Sequence, residues 1–108
     1  MDFVFKKYGK YKIFKIKKNT LDFKLTKQIL KIANGKNCVV DCKDIKDFGD
    51  FQTLDLILKN NIVLCNAAYW LMQQASLLCR ENFPKFYICE EDFFNNKRML
   101  VRRRFRVV

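Results

Sequence analysis

The chain has 108 residues, half of them hydrophobic and eleven of them Phe, and its 22 Lys and Arg against 11 Asp and Glu give a net charge of +11. That is one domain's worth of chain, with material for a core that needs no disulfides. It contains no His, which excludes Cys/His zinc sites and Ser/His or Cys/His catalytic pairs.

The first run, FVFKKYGKYKIFKIKK (3–18), sets two stretches rich in Phe, Ile, Val and Tyr around Gly9 and predicts a β-hairpin. Its apolar residues are expected to cover the core while its lysines face water; the competing reading is a platform that stacks and neutralises a single nucleic-acid strand. In TLDFKLTKQILKIANG (20–35), Leu25, Ile29 and Ile32 share a helical face, Thr20 or Asp22 can cap its start, and Asn34-Gly35 stops it. NCVVDC (37–42) is an apolar run of strand length. Phe51, Leu54, Ile57 and Leu58 then recur at helical spacing behind Gly49, with Asp50 placed as N-cap.

NIVLCN (61–66) reads as the next strand. Ala68, Leu71, Met72, Ala75, Leu78 and Cys79 form a helical stripe, with Tyr69, Gln73, Ser76 and Arg80 opposite. Pro84 is expected to end that helix, and KFYICEE (85–91) supplies another strand. Residues 60–79 are free of charge, yet Asn66, Gln73, Gln74 and Ser76 interrupt them and a helix begins inside them, so a buried strand and a helix are expected rather than a membrane span. MDFVFKKYGK lacks the apolar core of a signal peptide. The expectation is a cytoplasmic, single α/β domain over residues 1–108. Its sheet is mixed and mostly parallel, of about four to six strands, with an N-terminal hairpin and about three helices.

The chain closes on KRMLVRRRFRVV (97–108). Its alternation predicts a C-terminal strand with Leu100, Arg102, Arg104 and Arg106 on one face and Val101, Arg103, Phe105 and Val107 on the other. Guanidinium stems would then stand roughly 6.6 Å apart, a row suited to a polyanion. Arg102, Arg104 and Arg106 are therefore anion-binding candidates. The plainer reading is an edge strand whose charges block aggregation, open also to pairing two copies into a homodimer.

Charge is unevenly spread. Residues 1–37 hold eleven Lys and two Asp, a balance of +9, residues 38–96 come to −4, and residues 97–108 add +6. Basic ends favour an anionic partner such as nucleic acid, or simply solubility. Cys38, Cys42, Cys65, Cys79 and Cys89 show no CxxC spacing and read as small buried hydrophobes. Asp41, Asp44, Asp47 and Asp50 recur every third residue, an oxygen-rich pattern that could attract Mg²⁺ or Ca²⁺. The spacing is not that of an EF-hand, and Lys43 and Lys46 intervene, so a strand end, a solvated loop and a cap are the preferred reading. Glu90-Glu91-Asp92 could approach the same end of a parallel sheet. Three isolated glycines make no phosphate loop. No catalytic residue, cofactor or metal is expected.

The stretch LDFKLTKQILKIANGKNCVVDCKDIKDFGDF (21–51) resembles the STAS domain of anti-sigma-factor antagonists. Leu21-Asp22, Gly35 and Val39-Val40-Asp41 fit that family's plan of a helix opening at a Leu-Asp pair, a glycine break, and an apolar strand ending in Asp. The resemblance spans roughly residues 11–90 in element order. It implies a non-enzymatic signalling module that binds a protein partner, possible examples being anti-sigma-type regulators. The partner surface would be Asp47, Phe48, Gly49, Asp50 and Phe51 with the helix over 51–59. STAS loops carry a phosphorylatable Ser or Thr here, whereas this chain places Asp50 near that position and no hydroxyl nearer than Thr53. The phosphorylation switch is thus absent, and Asp50 reads foremost as a helix cap. The alternative function is a nucleic-acid-binding protein using the N-terminal lysines and C-terminal arginines.

Overall fold

The computed structural model describes residues 2–79, 82–96, 99–101 and 106–107, the last two stretches by backbone. Strands β1 (Phe3–Tyr8) and β2 (Tyr11–Ile16) form the N-terminal hairpin, followed by α1 (Phe23–Ala33), β3 (Cys38–Asp41), α2 (Phe51–Lys59), β4 (Val63–Cys65), α3 (Tyr69–Leu78) and β5 (Lys85–Tyr87). A short helix α4 (Glu90–Phe94) and strands β6 (Met99–Val101) and β7 (Arg106–Val107) complete the order. All seven strands lie in one sheet, in chain order. The β1–β2 pair is antiparallel, β2 through β5 run parallel, and β6 and β7 add antiparallel pairs at the far edge. The mixed α/β architecture with an N-terminal hairpin expected from the sequence is what forms, its parallel part being β2 through β5.

The C-terminal segment joins the sheet as a hairpin, not as one run. Leu100 pairs with Val107 and Val101 with Arg106. This brings the two apolar ends of the segment level with each other, which a single alternating strand would not do. Arg102 and Arg104 lie outside the described residues, and Arg106 is placed in β7 by its backbone.

Strand alternation divides the sheet into two faces. Phe14, Val40, Leu64 and Phe86 stand level across β2 to β5. They meet Leu25 and Ile29 of α1, Leu54 and Ile57 of α2, and Leu71 and Ala75 of α3 in one core. Three crossover helices share this face because parallel connections are right-handed and the strand order never turns back. Fully burying each of these Phe rings is worth about 1.5–3 kcal/mol. The other face carries Ile13, Val39, Val63 and Cys65, and its cover is thin: Phe93 and Phe94 of α4 packed with Tyr11 and Tyr87. The Phe93 ring meets Tyr11 and Tyr87 edge-on, each with centroids 5.2 Å apart. Glu90 at the head of α4 reaches Lys6 of β1 at 3.9 Å.

Helix ends follow local chemistry. Asp22 caps α1, accepting from Leu25 N–H at 2.8 Å. At its C-terminus Asn34 takes the left-handed conformation, and its N–H and that of Gly35 reach back to Leu30 and Lys31 carbonyls. Lys12 adds a side-chain cap, donating from Nζ to the Ile32 carbonyl at 2.7 Å. Helix α3 stops at Leu78, well before Pro84, where Cys79 turns extended. The uncharged stretch 60–79 resolves into a turn, β4 and α3 as expected, and no described helix is long and apolar enough to cross a membrane.

Candidate functional site

Because β3, β4 and β5 are parallel, the loops after them and the N-termini of α2 and α3 lie at one edge of the sheet. The loop from Asp41 to Asp50 is tied down at several points. Asp47 pairs with Thr20 as an isolated parallel bridge; its Oδ2 accepts from the Thr20 hydroxyl at 3.2 Å and its Oδ1 from Gly49 N–H at 2.9 Å. The backbone N–H groups of Lys46 and of Asp47 itself both donate to the Asn19 carbonyl, and Leu21 N–H donates to the Asp47 carbonyl. Phe48 is fully buried beside Phe86, and its N–H donates to Gln74 Oε1 of α3 at 3.0 Å.

Gly49 has φ +77°, and a Cβ built there would stand 3.4 Å from the Asp22 Cα. The loop therefore passes close against the start of α1 at the one residue free of a side chain. Asp50 is the N-cap of α2, its Oδ1 accepting from Thr53 N–H at 3.0 Å and from the Thr53 hydroxyl at 3.2 Å. Asp22 and Asp50 cap successive helices in the same way, three residues before the N–H they bind.

Phe51 departs from its expected place on the buried stripe of α2. It is 57% exposed, while Thr53, Leu54 and Ile57 form the buried face. It is the first helical residue, and Phe48, three residues earlier, is the fully buried ring instead. Tyr69 and Trp70, at the head of α3, are 56% and 57% exposed. Ile88, just after β5, is also exposed. Three large aromatic side chains thus open onto solvent from two helix starts at the same sheet edge. Helical spacing sets Tyr69 opposite the α3 stripe, and Trp70 falls off that stripe too.

The carboxylates of the same edge behave as local structural groups. Asp41 accepts from Lys43 N–H at 3.0 Å. Burial pushes the Cys65 thiol up to about 12, and the neighbouring Glu90, Asp41 and Asp92 carboxylates push the same way. Among the described residues no three His, Cys, Asp or Glu side chains are grouped to hold a metal ion. Burial likewise raises Cys38 to about 12 and Cys42 well above its ordinary range. No disulfide joins any of the five cysteines. In open α/β sheets ligand crevices form where the strand order reverses; β2 to β5 run in unbroken order, so this edge has a rim rather than such a crevice. Comparison with family models, with curated proteins and with solved structures finds no match to this chain.

Proposed function

We propose that this protein is a non-enzymatic protein-interaction module of STAS-like type, binding its partner at the sheet edge formed by residues 47–51 and the heads of α2 and α3. The observation that carries the reading is the exposure of Phe51, Tyr69 and Trp70 beside a loop held rigid by Asp47, Phe48 and Asp50. Aromatic side chains on a pre-formed surface supply contact area at low ordering cost, and Trp and Tyr are enriched among the residues that dominate binding energies. The partner is a protein of the anti-sigma regulator class, as the likeness of residues 21–51 to STAS domains implies. With Asp50 committed to capping, the interaction runs without a phosphorylation switch at that position.

The test is affinity capture by the full chain, compared with Phe51→Ser/Trp70→Ser and with Tyr8→Ser at the opposite end of the sheet. A partner held by the wild type and by Tyr8→Ser, and lost by the double variant, supports the reading. Capture indifferent to Phe51 and Trp70 overturns it. So does binding of RNA or DNA that falls steeply with salt and ignores these two residues.

A further inference from the structure

A second candidate site lies at the other end of the sheet, where β3, β4 and β5 begin. A cavity of about 600 Å³ opens there on the thinly covered face, within the size range of small-molecule sites. Its apolar lining is Val63 with the rings of Tyr11, Tyr87 and Phe93. Around it stand Lys36, Lys59 and Lys85, and among the described residues no Asp or Glu lines the cavity. Lys59 is engaged with Asp55 at 3.0 Å. Lys36 and Lys85 have no ion-pair partner among the described residues.

These lysines are not consumed by the helix ends that border the cavity. The α1 terminus is capped by Lys12 and by the Asn34 and Gly35 N–H groups. The α2 terminus is capped by Asn60, whose Nδ2 donates to the Leu56 carbonyl at 2.9 Å. Both αβ loops reach the cavity through an Asn in the left-handed conformation, Asn37 with φ 54° and Asn61 with φ 52°. Each side-chain amide offers both a donor and an acceptor. The hydroxyls of Tyr11 and Tyr87 make no hydrogen bond among the described residues.

We infer that this cavity binds a small ligand combining a planar ring with a phosphate group, of the size and chemistry of a nucleoside monophosphate. The ring packs on Tyr87 and Phe93, the phosphate is met by Lys36 and Lys85, and Asn37 and Asn61 address the polar atoms between. A ring without the anion leaves two ammonium groups unmatched, and an anion without the ring leaves the aromatic wall wet. The site lies at the opposite sheet edge from the aromatic rim, and its standing is independent of the interaction proposed there.

Titration calorimetry of the full chain at low salt, with adenosine 5′-monophosphate, uridine 5′-monophosphate, adenosine and inorganic phosphate as probes, tests the inference. Saturable one-to-one binding of a monophosphate is expected, with adenosine and phosphate each weaker by about tenfold or more, the loss that follows from removing a charge-assisted contact or a stacking surface. Lys36→Ala and Lys85→Ala should each weaken the monophosphate by about tenfold. Tyr87→Leu should weaken it similarly. Amide chemical-shift mapping of the unaltered protein reads the location without a variant, and changes should centre on residues 35–38, 60–63 and 85–87. Monophosphate binding no tighter than that of inorganic phosphate, binding unaltered by the lysine substitutions, or shifts centred elsewhere would overturn the inference, as would no binding of either monophosphate at millimolar concentration.

Discussion

Replacing Asp50 by Ala separates what that carboxylate holds together from what it presents to a partner. Its Oδ1 accepts two hydrogen bonds from one residue, Thr53, whose side chain is fully buried. Losing an N-cap acceptor costs about 0.5–2 kcal/mol. Leaving the buried Thr53 hydroxyl without its acceptor adds about 1–3 kcal/mol. Asp50→Ala should therefore lower stability by about 1.5–5 kcal/mol, and Asp50→Asn, which keeps an acceptor oxygen, by under about 1 kcal/mol. At about 4–8 °C per kcal/mol for a domain near this size, the Ala variant should melt at least about 6 °C below the wild type. Urea and thermal unfolding followed by circular dichroism read both quantities. A cycle with Thr53→Val should return a coupling of about 1 kcal/mol. If Asn proves as costly as Ala, the negative charge at the head of α2 is what stabilises and the hydrogen-bond argument fails. If Ala costs under about 0.5 kcal/mol, Asp50 is not a structural cap at all.

The two turn glycines should separate by surroundings. Gly49→Ala adds a Cβ against Asp22 and Thr20 in a left-handed conformation, whereas Gly9→Ala meets nothing within 4 Å. Both should lose about 1–2 kcal/mol to backbone strain, with Gly49→Ala the worse of the two in urea unfolding. Trp70 fluorescence should be red-shifted and readily quenched by acrylamide, and Phe51→Ser/Trp70→Ser should unfold within about 0.5 kcal/mol of the wild type. Cys38, Cys42 and Cys65 should resist thiol reagents in the folded protein at pH 8, with the half-buried Cys89 modified before them. Their raised pKa values also set a sign: between the ordinary 9.0 and about 12, the unfolded chain releases protons that the folded thiols keep. Stability contributed by these thiols is thus whole below about pH 9 and falls as pH rises above it, measurable as a shrinking urea midpoint that Cys38→Ala partly restores.

Elements with strong local signals were legible in the sequence. The Asp50 cap, the α1 start narrowed to Thr20 or Asp22, the Asn34-Gly35 stop and the apolar runs of β3 and β4 each rest on chemistry within a few residues. Where long-range geometry decided, sequence patterning misled or fell silent. Phe51 has helical spacing with Leu54 and Ile57, but periodicity does not know that Phe48 fills the core just ahead of α2, and Phe51, the first helical residue, is left exposed. Likewise, alternation in KRMLVRRRFRVV was compatible with one strand or with two that fold back, and only pairing of Leu100 with Val107 separates them. Helix α4 is five residues long, too short for a periodic signal, yet it supplies two of the four aromatic rings that cover the second sheet face. The cavity at the start of the parallel strands was invisible for a related reason. Its walls come from segments far apart in sequence, and none of them holds a motif.

The strand order has a consequence for how the chain assembles. Every strand pairs with the one made immediately before it, so each new strand closes a loop no longer than one hairpin or one crossover. The entropic cost of closure stays small at every step. The protein can grow from its N-terminal hairpin by docking successive β-α units onto a finished edge, without holding an early strand open for a late arrival. Folding should therefore be fast for a largely parallel sheet, and compatible with ordering during synthesis. The same logic runs backwards: native-state hydrogen exchange should loosen the sheet from the β7 edge inward, with the strands between α1 and α3 the last to open.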